Sequence, residues 1–469
     1  MTKPHIIIIG GGVSGAALAI HLARMAVSAL RVTIVEPRER LGLGVAYSTP
    51  EPAHRINVPA ARMSLFSEDK THFERWLNRQ PEFRKDRAAL WRDGSAYPQR
   101  GLFGRYMEGL FADVAKSGPA QLRHIWDRAI GLQDNIVTTA SGLALRADVV
   151  VLAVSHPPPA LPEMLRPWQT HPALVANPWL PGVLDTVAST QRVGIMGTAL
   201  TMADVVASLQ TRGHRGPIVA FSRHGLLSRS NLSVEAPPPP WSLSSPWPTT
   251  ARGALAQARR EVAAAAEQGI PWQAVMDEIR ANGQVLWQTL ALKEQQRFLR
   301  HLRSWWDVHR YRTAPQVAQV IAARRESGDL RVLAARLCGV GADETTLTLR
   351  LQPRQGKVET TTVDKLIVTT GPAHASLTES QPLLHSLSQR GVLRPDPLGL
   401  GILVNERSET LDILDQANPR LLVVGPAARG RFGELMGLPQ VSQHAESVAK
   451  HLMTSVITAA ASARCPVST

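Results

Sequence analysis

Gly10, Gly12 and Gly15 stand in a Gly-x-Gly-x-x-Gly array, and Glu36 follows Gly15 by about 20 residues. Each has a chemical reason to be there. Gly10 permits a tight turn, Gly12 lets the backbone approach a pyrophosphate, and Gly15 lets a helix pack closely on a strand. A helix opening at Val13 and Ser14 would present free N–H groups and its positive end to that anion, while Glu36 would accept from ribose hydroxyls. Such an array carries weight only in context, and here the context is complete: the strand-like run Ile6 to Ile9 precedes it, an Ala/Leu-rich helix follows, and Val32 to Val35 form a second strand ending in the acid. This is a dinucleotide-binding βαβ unit.

A second, degraded copy begins at Arg192. Of its three glycines only Gly197 survives, followed by Thr198; Ala199 and Met202 occupy the second and third glycine positions. Ala199 adds one methyl near a pyrophosphate path, and Met202 is expected to loosen helix–strand packing. The strand Ile218 to Phe221 ends not in an acid but in Ser222-Arg223, and an arginine there suits a 2′-phosphate. The unit is either an NADPH site, with NADH the lesser choice, or a scaffold that keeps the fold without the nucleotide. An N-terminal unit followed by a second one deep in the chain is the arrangement of two-dinucleotide flavoproteins, with FAD in the first.

Two further groups of residues have chemical potential. The loop Gly42 to Met63 must pass an extended FAD, and Asn57, Val58 and Met63 are placed to hydrogen-bond or cover the isoalloxazine edge, unless they are simply a packed loop. Farther on, His309 and Arg310 follow Trp306 by three and four residues, Arg312 comes next, and Pro315 closes the segment. A Trp, a His and two Arg on one helix face would stack on a planar ring and pair with an anion. The same residues would equally serve as a core with arginine bridges between domains.

The elements that position these residues indicate an α/β flavoprotein with two Rossmann-like units. Two acid-led strands, Asp148 to Val154 and Asp364 to Thr370, resemble each other and mark where the chain passes between units. The resulting layout is a first FAD-binding part over 1–160, an inserted NAD(P)-binding-like domain over 161–359 with a helical subdomain at 251–330, a second FAD-binding part over 360–455, and a tail over 456–469. Pro157 to Pro159 and Pro237 to Pro240 are stiff breaks.

Composition narrows the class. Among 469 residues, Lys+Arg number 52 against 38 Asp+Glu, a net charge of +14 without a long basic run, which favours anionic ligands but makes nucleic acid an unlikely partner. The apolar run Ile6 to Ile20 is broken by glycines, so neither secretion nor membrane spanning is expected, and the location expected is the cytoplasm. The two cysteines, Cys338 and Cys465, make no CxxC, which excludes a dithiol centre and leaves no metal site in view.

Over nearly its whole length the chain resembles the bacterial FAD/NAD(P)-binding flavoproteins that include FAD-dependent urate hydroxylases, and more distantly the flavin N-hydroxylases of amines and amino acids. The resemblance rests on the N-terminal glycine motif, Gly42-Leu43-Gly44-Val45-Ala46-Tyr47 with His54 and Asn57 to Met63, Phe103-Gly104-Arg105-Tyr106, Gly197-Thr198-Ala199-Leu200-Thr201-Met202, Trp306-x-x-His309-Arg310-x-Arg312-x-x-Pro315, Thr370-Gly371-Pro372 and Gly425-Pro426. Two departures are Ala199, where the family has glycine, and Gly433, where it has a tryptophan before the acid Glu434. The resemblance implies FAD, with Gly371 and Gly425 among its contacts, an NADPH or NADH donor, O2, and hydroxylation of a small electron-rich substrate through a flavin C4a-hydroperoxide. A planar or anionic, urate-like heterocycle is the favoured substrate. His309, Arg310 and Arg312 are the candidate catalytic residues. Alternatives are an N-hydroxylase, a flavoprotein dehydrogenase or oxidase, and an RNA-associated flavoprotein.

Overall fold

The computed structural model describes residues 3–154, 157, 159–232 and 238–462. Its first sheet has six strands in the order Glu409–Leu411, Ala417–Val423, Val149–Leu152, His5–Ile9, Leu30–Val35 and Ala120–Ile125, all parallel except the hairpin at the Glu409 edge. Central parallel strands are covered on both faces and so read as continuous apolar runs. That is why His5–Ile9 is a run of isoleucines. Ile6 and Ile8 face the helix Val13–Met25, and Ile7 and Ile9 face the opposite layer with Val137 and Leu384.

The glycine- and alanine-rich helix Val13–Met25 has small side chains at Gly15, Ala16, Ala17 and Ala19, so a second helix can lie close against it. That neighbour is the C-terminal helix Gln440–Ser462, which contributes Ala445, Val448 and Leu452 to the same core. The tail drawn from 456 thus starts inside a helix, because the alanines Ala459 to Ala461, the best of helix formers, continue it. Residues 463–469, with Cys465, lie outside the described residues, as does Pro237 of the second proline break.

The second sheet has seven strands in the order Glu359–Val363, Leu347–Pro353, Leu330–Ala342, Ile218–Ser222, Val193–Met196, Lys365–Val368 and Leu174–Val175. Lys365–Val368 pairs in parallel with Val193–Met196, so the chain leaves this sheet only after Val368, several residues beyond the boundary drawn at 359. Met202, expected to loosen the packing of the degraded unit, is 1% exposed and sits in the core with Val205, Val206 and Ile367. Methionine is unbranched and flexible enough to fill the site that a glycine would have left tight.

Between Ile218–Ser222 and Leu330–Ala342 comes a helical arm, from Ala251–Glu267 through Trp272–Ala281, Gly283–Thr289 and Leu292–His301 to Arg303–Arg310. The next helix, Pro315–Glu326, has left the arm: its Val317 and Ile321 pack in the core of the second sheet, on the helix Leu200–Thr211. It is the crossover that a parallel pair of strands requires, which sequence periodicity alone does not distinguish from the arm's own helices.

Candidate active site

The nucleotide turn is built as its glycines require. Gly10 has φ +106°, and a Cβ on Gly15 would lie 2.0 Å from the Gly10 carbonyl oxygen, so no larger residue fits there. Gly12 is the N-cap of the helix Val13–Met25, with no side-chain cap and no acid in the first turn. The positive end of the helix is therefore not neutralised by its own residues. Val13 and Ser14 are half-buried. Gly44 faces Gly12 across a narrow gap, where a Cβ on Gly12 would meet the Gly44 Cα at 3.6 Å. On the other side the Gly425 backbone presses on Ser14, close enough that a Cβ at Gly425 would overlap the Ser14 hydroxyl. Gly425 itself is held through its N–H, which donates to Nδ1 of the buried His444 at 3.1 Å. These residues form a glycine-lined cradle at a helix N-terminus, which fits a dinucleotide pyrophosphate.

Glu36 is 4% exposed, and its carboxylate accepts from the Gly11 N–H at 2.7 Å and from the Arg38 N–H at 3.1 Å. It thus fixes the turn. Beyond it opens a cleft of about 920 Å³. Asn57, Val58 and Met63 line one wall; Leu200 and Thr201 of the second unit line another, with Gly371 beside them. The loop is fastened in place: the Asn57 carbonyl accepts from Asn231 Nδ2 at 2.9 Å, and Met63 is buried.

Two contacts set the cleft's width by joining the units. Arg100 pairs with Asp204 at 2.8 Å, and its Nε donates to the Arg55 carbonyl at 2.8 Å. His54 shares a hydrogen bond of 3.1 Å with the Ser208 hydroxyl. Asp204 is the acid that ends the segment Gly197-Thr198-Ala199-Leu200-Thr201-Met202-Ala203-Asp204, so this motif bridges domains as well as opening a helix. In the second unit Gly197 has φ +119° and packs against Thr369, and Thr198 hydrogen-bonds Ser222 at 2.8 Å and the Leu226 carbonyl at 2.6 Å. Thr198 thereby ties the turn to the segment that carries Arg223. Arg223 is exposed and has no ion pair among the described residues, while Ala199 serves as N-cap of Leu200–Thr211.

The three residues expected to act together are divided by the structure. Arg312 lies past the end of its helix and lines the cleft, paired with Asp277, which Arg62 also contacts at 2.9 Å. Burial pushes the Arg312 guanidinium down, against the pull of Asp277. His309 points elsewhere, into a separate chamber of the helical arm, with Nδ1 against the Trp305 carbonyl at 2.7 Å and its ring edge-on to Trp272. Arg310 stands between the two spaces and is buried, its charge taken up by Glu434 and by Asp307 at 2.8 Å. Burial works against that charge, but Tyr311, Glu434 and Asp307 outweigh it and hold the group above its ordinary range. The geometry of the helix explains the division: Trp306, His309 and Arg310 share one broad face, but the helix ends at Arg310, and Tyr311 turns the chain at ψ 77° so that Arg312 points away.

Sequence reasoning missed Arg62 and Arg280, which with Arg312 line a basic side of the cleft, and Asp277, the carboxylate that pairs with Arg62 and Arg312 behind it. Their pairing spans more than 200 residues for Arg62 and Asp277, and nothing local signals it. The missing tryptophan at Gly433 has a visible substitute. A Cβ at Gly433 would lie 2.9 Å from the ring of Trp287, so an arm residue fills that space.

Comparison with known proteins agrees with this architecture. Residues 7–157 match a family model described as FAD-NAD(P)-binding. An uncharacterized protein of Mycobacterium tuberculosis strain H37Rv is 24% identical, with 94% of each chain covered. The reduced form of the ornithine hydroxylase of Pseudomonas aeruginosa superposes with a TM-score of 0.65 at 16% identity, covering 97% of this chain and 100% of that one. The ornithine N-hydroxylase of Kutzneria sp. 744, solved with reduced FAD, NADP+ and L-ornithine, gives 0.64 at 13% identity, covering 97% and 100%. The chain therefore has the two-dinucleotide-binding fold of the flavin monooxygenase structures, and its residues 7–157 are an FAD-NAD(P)-binding segment.

Proposed function

We propose that this protein is an FAD-dependent monooxygenase that takes electrons from NADPH or NADH and hydroxylates the nitrogen of a small amine or amino acid in the cleft. One observation carries the reading: a single cleft is bounded by the Asn57–Met63 loop of the first unit and by Thr201 and Gly371 of the second, so both nucleotides and a third small molecule have access to one space. The glycine cradle at Gly12 to Ser14 holds the FAD pyrophosphate, Glu36 its ribose, and Asn57, Val58 and Met63 border its ring system. Gly371 and Gly425 close its sides. Bound FAD supplies the two-electron chemistry and the activation of O2. Gly197, Thr198 and Arg223 form the side of the nicotinamide nucleotide.

The basic side of the cleft favours an amino acid over a neutral amine. Arg62 and Arg312 share the single carboxylate of Asp277, which leaves a positive charge that a substrate carboxylate can neutralise. Amine and amino-acid N-hydroxylation takes precedence over the urate-like heterocycle implied by the family resemblance, because the structures of similar fold include ornithine hydroxylases. The absence of a CxxC argues against a dithiol reductase on the same fold. The experiment is a panel of L-ornithine, L-lysine, cadaverine and urate offered to FAD-loaded protein, with NADPH oxidation, hydroxylamine product and hydrogen peroxide measured together. Substrate-stimulated oxidation with matching hydroxylamine supports the reading. Stimulation by urate alone, or turnover that yields only peroxide, refutes it.

A further inference from the structure

Between the helical arm and the segment from Leu400 to Glu434 lies a second chamber of about 920 Å³, open to solvent on one side, that the proposed reaction does not use. Its lining is mostly apolar and aromatic, with Trp247, Trp272, Trp287 and Phe298 around it. The helix Leu292–His301 shows that this is a space and not a tightly filled core: its apolar residues Phe298 and Leu299 turn inward, yet no residue of that helix is buried. Arg310, Glu434 and Asp307 form the partition toward the flavin cleft, and Glu434 is further fixed by the Trp306 indole N–H, which donates to it at 3.2 Å.

At the inner end sits Arg429, 5% exposed. Its Nε donates to the Leu400 carbonyl at 3.2 Å and its Nη1 to the Met436 sulfur at 3.0 Å, while Nη2 has no partner and the group has no ion pair among the described residues. Burial, helped by nearby Arg303, pushes this guanidinium down to about 10. A buried cation without a counterion is costly, and one at the end of an apolar chamber is a place for an anion. Arg259 and Arg303, both exposed at the outer rim, extend the positive field.

We propose that the arm holds a second ligand site, for an amphipathic carboxylate whose apolar chain or ring lies among Trp272, Trp287 and Phe298 and whose carboxylate pairs with Arg429. The chamber lies within the usual size range of small-molecule sites, and a mostly apolar lining with one buried cation is the lining such a site has. The site is distinct from the cleft, so its occupancy is measurable without turnover.

The test uses the FAD-loaded full chain, titrated with decanoate, 2-naphthoate and decanol. Tryptophan emission and calorimetry report binding, since five of the chain's 11 tryptophans line the chamber. At least one carboxylate is expected to bind saturably and at least tenfold more tightly than decanol, the two acids separating an acyl from an aryl preference. Arg429→Met should remove that margin, and Ala254→Trp, which fills the chamber, should abolish binding while FAD content and Tm stay unchanged. If Arg429→Met does not fold, the decanol comparison and Ala254→Trp decide. Equal affinity for decanol and both acids, or undiminished affinity in folded Ala254→Trp, overturns the proposal.

Discussion

Arg100 and Asp204 form an ion pair of 2.8 Å across the junction between the two nucleotide units, and neither side chain is more than 9% exposed. Removing one partner leaves the other charge buried and uncompensated, whereas removing both does not. Arg100→Met should therefore lower stability by about 3–5 kcal/mol, and the double variant Arg100→Met/Asp204→Leu should recover most of it. Urea unfolding of these two variants and of Asp204→Leu alone checks this. Additive losses would mean that the pair does not hold the units together.

The cradle at Gly12 allows a graded prediction. A Cβ there meets only the Gly44 Cα, at 3.6 Å, an ordinary contact. Gly12→Ala should fold normally and bind FAD more weakly. Gly12→Val should fold but lose FAD, because a branched side chain occupies the pyrophosphate's approach. The flavin-to-protein ratio of the purified variants, taken with their Tm, is the check, and a full flavin complement in Gly12→Val would remove the cofactor assignment.

Arg310 and Arg312 are expected to fail differently when replaced. Arg310→Met leaves the buried Glu434 and the half-buried Asp307 with only the longer contacts to Arg280 and Arg303, each at 3.5 Å, and should cost about 1–3 kcal/mol of stability. Arg312→Ala keeps the fold, since Arg62 still neutralises Asp277, and should raise the substrate KM about ten- to a hundredfold through loss of a charge-assisted bond. Steady-state kinetics beside thermal unfolding separates the two.

Arg223 is exposed and has no ion pair among the described residues, so its replacement isolates nucleotide recognition from folding. Arg223→Ala should lower kcat/KM for NADPH about ten- to a hundredfold and leave NADH unaffected. Equal use of both donors by the unmutated protein would assign the second unit to scaffold.

His444 links the cradle to pH. Burial pushes it from 6.5 down to about 4, and in its neutral form Nδ1 accepts from the Gly425 N–H while Nε2 donates to Ser408 at 2.9 Å. A histidine whose folded pKa is depressed favours folding in full above the unfolded value. Between pH 6.5 and 4 the unfolded chain takes up the proton and the folded chain does not, so stability falls by about 3 kcal/mol as the pH drops. Replacing His444 with Gln should flatten that part of the stability–pH curve. FAD retention should follow it, because Gly425 covers Ser14.

What the sequence disclosed and what it withheld divide along one physical line. The features of the first unit from Gly10 to Glu36 are local, with turn, helix and paired strand within about 30 residues, and the structure reproduces them residue by residue. The cleft is made by contacts between distant segments, Arg100 with Asp204 and Arg62 with Asp277, which no periodicity encodes. The Trp306–Arg312 segment lies between these cases. Its helical spacing was readable, but the turn at Tyr311 that sends Arg312 into the cleft and leaves His309 in the chamber was not. Met202 shows the converse: a residue read as a defect of the glycine pattern is a well-buried part of the core.

The most direct measurement is oxygen transfer itself. FAD-loaded protein is given NADPH, the most stimulating amine or amino acid of the panel, and isotopically labelled O2, and the product is weighed by mass spectrometry. The expected result is one labelled oxygen on the substrate nitrogen for each NADPH consumed in the coupled reaction. Unlabelled product, or label found only in hydrogen peroxide and water while the amine is returned unchanged, would contradict the assignment and leave an oxidase or dehydrogenase on this fold.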